Sequence, residues 1–599
     1  MQERLKRSQV PVERTWNLDH IFATEDDWEK ELAAVQADIG SVTKYKGRLG
    51  ESAKVFLECL EAAEAIRTRF RRVMSYPSLK LSADGTDPAN QVNAGRAGAV
   101  GARLAAETSF IDSEALALPE GTLQRYLEEE SGLEPFRHTI EILIRNKPYQ
   151  LNPDTEKALA SLSEVLDAPS AIYRRSRTSD MTFEPIVDGK GNRLPVSFPL
   201  YEDSYERSPD PVLRRNAFFS FTKGLRAYQN TYAATWGTDV KRHVIEAKLR
   251  GFPSATHMVL HGQEVPFEVY HSIHDVILKQ LAPHMRKYAR LRKKVLGLDR
   301  LLYCDIEAPL DPDFGPKTTF EEGAKIILDG LSVLGPEYTA IIQEGLENRW
   351  IDLAENVGKD SGAYCNPVPG VHPYVFITWG ENMRSVLVLS HELGHAAHGV
   401  LSMKYQRPSN ALSGSFFVEA PSTINELLVG NSILSKTTDH RMRRWIIMQF
   451  LTTYHHNFVR HLIEGELQRR IWAMAENGQP ITASLLNRVQ GEILDEFWGG
   501  EVEIDEGARL TWMRQHHYYM GLYSYTYSAG LTVGTAVTKA ILKEGQPVVE
   551  RWLDVLKAGS TKPPLELAKM AGVDMTNPDT IREAVSYVGE LVDEVVRSF

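Results

Sequence analysis

The sequence predicts a mainly α-helical protein, and two observations carry this prediction. Most of the chain places apolar residues three and four positions apart, in segments rich in Glu, Lys, Arg, Ala and Leu, which is the pattern of amphipathic helices. Runs with the alternating pattern of strands are few. Taken from the N-terminus, clear helical segments lie at residues 26–39, 53–75 and 136–144.

The helical pattern breaks at residues 182–200. There, Asp188-Gly189 and Gly191-Asn192 stand between two alternating runs, which predicts a β-hairpin. Two further runs, residues 301–306 and 374–379, are β-branched or aromatic and are predicted as strands. Because no Gly/Ser-rich or Pro-rich linker separates independent units, we expect two coupled helical lobes, residues 1–200 ending in the hairpin and residues 201–599.

Composition excludes several classes of function. The 599 residues carry 68 basic and 79 acidic side chains, a formal net charge of −11, so nucleic acid is not an expected partner. Residues 515–538 are uncharged, but their histidines, tyrosines and glycines favour a polar cavity wall, and no membrane contact is expected. Three dispersed cysteines and a charged start at residues 1–10 predict a cytoplasmic location.

One motif carries chemistry. Residues 391–395 read H-E-x-x-H, and on a helix His391 and His395 lie one turn apart on the same face, where both imidazoles reach one metal ion. Glu392 lies beside that position, where its carboxylate is able to take a proton from water. Gly394 lowers helix propensity, as a close backbone approach would require. The alternative is a buried helix whose histidines bond only to carbonyl groups.

A third ligand must come from farther along the chain. The metzincin continuation is excluded, because His398 and Leu401 stand where that motif needs Gly and His. The next acidic residues are Glu419 and Glu426, seven apart on one face of a predicted helix, with Glu419 nearer its start. Two histidines and one glutamate leave the fourth position of a tetrahedral zinc open for water, as in catalytic sites.

These motifs resemble a known family. The histidine motif, followed by residues 417–422 (FVEAPS) and Asn425-Glu426, resembles the thimet-oligopeptidase-like zinc metallopeptidases, and within them the oligoendopeptidase F branch. Residues 16–22, 359–365 and 517–530 support the match, which spans nearly the whole chain. The resemblance implies two helical lobes around a deep cleft, with a few short strands lining an active site that holds one Zn²⁺.

The resemblance also implies residue roles. It maps the zinc ligands onto His391, His395 and Glu419. It also implies that the lobe at residues 201–599 is the catalytic lobe. Glu392 is the expected general base, while His517 and Tyr525 are the expected donors to the developing oxyanion. The edge of the strand at residues 374–379 is expected to bind substrate backbone, with Gly362 and Ala363 permitting close approach. For His398 we expect a role beside the ligands.

The expected function is hydrolysis of internal peptide bonds in short, unfolded peptides by a zinc-dependent endopeptidase, acting as a monomer or small homo-oligomer. Two alternatives remain open at this point. One is an exopeptidase of the same chemistry, similar to a dipeptidyl carboxypeptidase, which would need a fixed charged group for the peptide terminus. The other is a helical protein that binds peptides without cleaving them.

Overall fold

A computed structural model describes residues 4–411 and 414–599, so residues 1–3 of the charged start and residues 412–413 lie outside the described residues. The fold is mainly α, as predicted. In the N-terminal part the helices are α1 Glu25–Ala37, α2 Gly40–Thr43, α3 Ala53–Ala83, α4 Pro88–Thr108, α5 Phe110–Ala117, α6 Thr122–Glu129, α7 Arg137–Asn146, α8 Pro153–Ser161, α9 Ser163–Leu166 and α10 Ala168–Arg175.

The C-terminal part is also helical. Its helices are α11 Pro211–Arg250, α12 Ala255–Gln263, α13 Phe267–Val295, α14 Phe320–Leu331, α15 Pro336–Glu347, α16 Met383–Tyr405, α17 Glu419–Lys436, α18 His440–Tyr454, α19 His461–Glu476, α20 Ala483–Trp498, α21 Ser524–Glu544, α22 Gln546–Ala558, α23 Pro564–Met570 and α24 Pro578–Ser598. Within the described part of the chain, no helix is long and apolar enough to cross a membrane.

The strands are short and form two small sheets. They are β1 Ile186–Val187, β2 Arg193–Leu194, β3 Ile351–Asp352, β4 Tyr364–Asn366 and β5 Tyr374–Phe376. The antiparallel pair β1-β2 is the predicted hairpin, and β5 lies within the predicted strand at residues 374–379. Neither β3 nor β4 was predicted as a strand.

The predicted strand at residues 301–306 is wrong. Residues Tyr303–Asp305 form a turn of 3₁₀ helix, and Leu302 makes only an isolated bridge to Glu503. The buried Asp305 carboxylate accepts the backbone amide of Leu302 and also bonds to Arg214. An extended chain would separate the Asp305 carboxylate from the Leu302 amide. The hydrogen bond between these two groups therefore favours the turn.

The apolar core consists of two clusters of buried side chains. The first comes mostly from Trp16 to Leu143, and the second runs from Tyr173 to Val595. Ile186 of the hairpin belongs to the second cluster, so the hairpin packs with the C-terminal part. The division into lobes at residue 200 stays a prediction. Along the chain, the change from the first cluster to the second occurs between Leu143 and Tyr173.

Strand β5 joins the two clusters. Its sheet has the order β3-β5-β4, with β3 parallel and β4 antiparallel to β5. Successive side chains of a strand point to opposite faces, and accordingly Tyr374 and Phe376 lie in the first cluster while Val375 and Ile377 lie in the second. The sheet is therefore a shared wall between the two cores.

The N-terminal segment fixes this sheet from one side. The Arg7 guanidinium bonds to the carboxylate of Asp352 and, at 3.1 Å, to the Asn356 side chain. The backbone amide of Leu353 donates to the backbone carbonyl oxygen of Arg14 at 3.0 Å. The buried Lys359 ammonium adds bonds to Asp352 and to backbone carbonyl groups, which fixes the loop that leads into β4.

Candidate functional site

The H-E-x-x-H motif lies in the middle of α16, a mostly buried helix whose first turn is capped by the Asn382 side chain. One turn separates His391 from His395, and their ring centroids are 5.2 Å apart. Glu419 is the first residue of α17, and its Oε2 lies 3.3 Å from His391 Nε2 and 3.5 Å from His395 Nε2.

These three side chains fit a metal ion. One nitrogen from each histidine and one oxygen from Glu419 all lie within 4.8 Å of one another. Two imidazole nitrogens and one carboxylate oxygen form the donor set that zinc prefers in hydrolytic sites, with a position left for water.

Two glycines bring the backbones of the site close together. A methyl group on Gly394 of α16 would lie 2.6 Å from the Pro421 carbonyl oxygen and 2.7 Å from Ser422 Cα on α17. A methyl group on Gly530 of α21 would lie 2.8 Å from the Glu419 side chain. The close approach predicted for Gly394 is therefore confirmed, and it brings Glu419 to the histidines.

Glu426 supports the ligand set from behind. Its Oε2 lies 3.5 Å from His391 Nδ1, and its Oε1 accepts a hydrogen bond from the Thr453 hydroxyl. A carboxylate on the second nitrogen of a metal-binding histidine fixes the tautomer and the orientation of the ring. The spacing of seven residues put Glu426 on the same face as Glu419, but gave no role for it.

Glu392 faces the cavity beside the ligand set. It is buried, and its Oε2 has no hydrogen-bond partner among the described residues. Burial raises the pKa of Glu392, and the nearby histidines oppose that shift. A carboxylate with a raised pKa and a free oxygen is suited to accept and return a proton.

The structure places the predicted tyrosines differently. Tyr523 and Tyr527 are four residues apart and line the cavity, with ring centroids 5.4 Å apart. Tyr525 lies on another side of the same helix, and its buried hydroxyl donates to Gln263 at 2.8 Å. The oxyanion role predicted for Tyr525 therefore requires a correction, because a shift of two residues turns a helical side chain by about 200°.

His517 lies behind the two cavity tyrosines. Its Nε2 is 3.4 Å from the Tyr527 hydroxyl, and its ring centroid is 5.1 Å from that of Tyr523. Burial lowers the pKa of His517 to about 3, so the ring is neutral near pH 7. His517 itself is not among the described residues that line the cavity, and it reaches the cavity through Tyr527.

His398 lines the cavity one turn beyond His395 but stands outside the group of three ligands. Burial lowers the pKa of His398 to about 4, and its Nε2 has no partner among the described residues. The neutral ring packs near Phe417, with centroids 6.5 Å apart.

The cavity has a volume of about 620 Å³. Strand β4 and the residue before it form part of its wall, through Ala363, Tyr364 and Cys365. The edge strand at the cavity is thus β4, and not β5 as predicted, because β5 lies between β3 and β4 and pairs on both sides. Further lining residues that the sequence did not point to are Arg207, Arg384, Gln449 and His456.

Comparison with known proteins decides the family. Residues 204–587 match the model of peptidase family M3. The chain belongs to peptidase family M3. Its residues 114–183 match a second model, described as oligopeptidase F. As a family M3 member, the chain is a peptidase that acts on peptides.

Individual M3 relatives resemble the chain over nearly all its length. Oligopeptidase PepF of Bacillus subtilis is 35% identical, over 98% of this chain and 88% of the relative. The plasmid-encoded oligoendopeptidase F of Lactococcus lactis subsp. cremoris is 28% identical over 98% of both chains. The chain is thus similar to the oligoendopeptidase F branch, as predicted.

Solved structures of M3 relatives share the fold. A putative peptidase from Chlamydophila abortus superposes with a TM-score of 0.86 at 26% identity, covering 100% of both chains. Oligoendopeptidase-F from Enterococcus faecium superposes with a TM-score of 0.76 at 26% identity, covering 96% of this chain and 99% of that one.

Proposed function

We propose that this M3 peptidase is a zinc-dependent endopeptidase that hydrolyses internal bonds of short, unfolded peptides. The observation that carries the proposal is the group of His391, His395 and Glu419, whose ligand atoms lie within 4.8 Å of one another beside a cavity of about 620 Å³. Bound by these residues, zinc would supply a Lewis acid for the scissile carbonyl and lower the pKa of water.

The side chains around the ligands would handle the protons. Glu392 takes a proton from the attacking water on its unpaired Oε2 and passes it to the leaving amine. The hydroxyls of Tyr523 and Tyr527 donate to the carbonyl oxygen as negative charge develops on it. His517, 3.4 Å from the Tyr527 hydroxyl, orients that donor.

Substrate backbone would bind along β4. This strand pairs on one side with β5, its other side is unpaired among the described strands, and its residues Tyr364 and Cys365 line the cavity. An extended peptide would continue the sheet there through main-chain hydrogen bonds, which places the scissile bond independently of side-chain identity. A cytoplasmic location and a monomeric or small homo-oligomeric state remain predictions of the sequence.

A direct test incubates the zinc-loaded protein with a mixture of short peptides, with and without a chelator, and identifies the products by mass spectrometry. We expect internal cleavage that the chelator abolishes and that added zinc restores. Products released only from the termini would favour an exopeptidase, and binding without products would favour the non-catalytic alternative.

The general base is tested in the same assay. Glu392→Gln should retain one zinc per chain while turnover falls by about 10²- to 10⁴-fold, because an amide does not accept the proton. The exposed Glu590→Gln is the matched control and should behave as wild type. Wild-type turnover in zinc-loaded Glu392→Gln would refute the assignment.

A further inference from the structure

Two arginines line the cavity without a part in the proposed reaction. Arg384 lies in the first turn of α16, and Arg207 lies in the short segment before α11. Arg384 precedes His391 by seven residues, so the two side chains share one face of α16, about 10 Å apart along the helix axis. Positive charge is therefore present in the same cavity as the metal ligands.

Among the described residues, neither guanidinium is held by a short ion pair with an acidic side chain. Arg384 bonds at 3.2 Å to the neutral side-chain oxygen of Gln449, and it makes no ion pair among the described residues. Arg207 Nε lies 3.9 Å from a Glu307 oxygen, beyond hydrogen-bond distance, and has no hydrogen-bond partner in the described part of the chain. Both side chains are partly open to solvent, and their open donor positions allow an anion to bind from the cavity.

The acidic groups nearest to Arg384 are already engaged. Glu307 accepts from His455 Nδ1 at 2.8 Å, and Glu426 bonds to Thr453 and contacts His391. Desolvation and the charge of Arg207 lower the pKa of Arg384, and the charges of Glu426 and Glu307 partly oppose these effects. A carboxylate from outside would offset both effects, since it would interact with the two cations together.

We propose that Arg384 and Arg207 form a subsite that binds a carboxylate of the peptide substrate. The proposal rests on the peptidase function proposed above, and it makes the two arginines specificity-determining residues. The carboxylate has two sources, the C-terminus of a short peptide or an Asp or Glu side chain. A guanidinium recognises both through the same paired N–H···O bonds.

The spacing along α16 sets the position of this carboxylate. An extended chain advances about 3.3–3.6 Å per residue, so the offset of about 10 Å corresponds to about three residues from the scissile bond. If the carboxylate is the C-terminus, short peptides are cleaved preferentially at the internal bond about three residues from that end. If it is a side chain, cleavage occurs at a similar distance from an internal Asp or Glu.

The experiment compares peptides of one sequence in three forms. The first has a free C-terminal carboxylate three residues from the cleaved bond, the second has a C-terminal amide there, and the third is an amide with Glu in place of Gln at that position. Zinc-loaded wild type should cleave the first or the third with kcat/KM about tenfold or more above the second, mainly through a lower KM.

The variants assign this preference to the arginines. In Arg384→Gln and in Arg207→Gln the preference should fall to within about threefold, mainly because the KM of the carboxylate-bearing peptide rises. Arg384→Lys should keep part of the preference, and Arg384→Glu should reverse it in favour of a peptide with Lys at that position. Arg443→Gln is the matched control, because Arg443 is exposed on α18 and pairs with Glu594.

Each outcome has one interpretation. A preference for the free C-terminus and a preference for the internal Glu both support the subsite, and they identify the source of the carboxylate. Equal cleavage of all three peptides by wild type, or a preference that survives in Arg384→Gln and Arg207→Gln, overturns the subsite and leaves the peptidase intact. No cleavage of any peptide by the zinc-loaded protein overturns the peptidase function itself.

Discussion

At the scale of single residues, the surroundings of the hydroxyl group distinguish the tyrosines at the start of α21: Tyr523 and Tyr527 line the cavity, whereas Tyr525 bonds to Gln263. We predict that Tyr523→Phe or Tyr527→Phe lowers kcat by about 10²- to 10³-fold with little change in KM, because an oxyanion donor acts mainly in the transition state. Zinc content and thermal stability should hardly change. Steady-state kinetics on one short peptide measures the effect.

Tyr525→Phe is the internal control for that experiment. It removes the hydrogen bond to Gln263 outside the cavity and should lower the free energy of unfolding by about 1 kcal/mol while turnover stays within a few-fold of wild type. A loss of kcat in Tyr525→Phe alone would contradict the placement of the oxyanion donors at Tyr523 and Tyr527.

The sequence predicts best those residues of the site that lie on one helix. His391 and His395 follow from the spacing of a helical turn, and Glu419 follows from the family resemblance. The sequence pointed to Tyr525, whereas Tyr523 and Tyr527 line the cavity, because the order of the three tyrosines does not give the side of the helix that faces it. The sequence did not point to Arg207, because it lies more than 180 residues before the motif and no local pattern indicates that it lines the same cavity.

At the scale of elements, the packing of α16 against α17 depends on Gly394. We predict that Gly394→Ala lowers the free energy of unfolding by about 1–3 kcal/mol and weakens zinc binding, because the added methyl group meets backbone atoms of Pro421 and Ser422. Thermal melting and zinc titration measure the two effects.

Gly98→Ala in α4 is the matched control, since an added methyl group there meets no atom within 4 Å. That substitution should leave zinc binding unchanged and stabilise the protein by up to about 1 kcal/mol. Equal zinc affinity in Gly394→Ala and wild type would show that α17 moves without displacing Glu419.

A second element-scale prediction concerns α18 and pH. Arg441 and Arg444 of α18 bond to Asp311, and the Arg441 contact lowers the pKa of that carboxyl to about 2. The ionised Asp311 carboxylate therefore stabilises the fold at pH values above its unfolded-state pKa, near 4. This stabilisation is lost as the pH falls toward the folded-state pKa, about 2. Asp311→Asn should therefore lower stability by about 1–2 kcal/mol at pH 7 and by less at pH 3. Melting of both proteins at each pH tests this, and a pH-independent difference would contradict it.

The elements also show how far local patterns determine the fold. The hairpin β1-β2 was predicted because its turn residues and both strands lie within a few positions of each other. Strands β3, β4 and β5 are two or three residues long and pair across intervening segments, so only β5 gave a signal. For the same reason the edge strand at the cavity was predicted to be β5, although it is β4.

At the scale of the whole molecule, the enclosed site predicts selection by substrate size. A folded domain of 100 residues has a radius of gyration of about 13 Å, so its volume is far larger than that of the cavity, about 620 Å³. One sequence presented as a short peptide should be cleaved with kcat/KM at least about 10²-fold above the same sequence inside a folded protein, because local unfolding costs about 3 kcal/mol or more. Unfolding that protein should restore cleavage, whereas equal rates for both forms would contradict an enclosed site.

The contacts of Arg7 with the sheet have a consequence for biosynthesis. Asp352 follows Arg7 by 345 residues, so at about 5–20 residues per second the ribosome makes the two ends of this contact about 17–70 s apart. During that interval the first core lacks Tyr374 and Phe376, and the N-terminal segment has no sheet to bind. The first core and the sheet that anchors the N-terminal segment are thus completed only after more than half of the chain has been made, and until then the N-terminal part is held by its own helices.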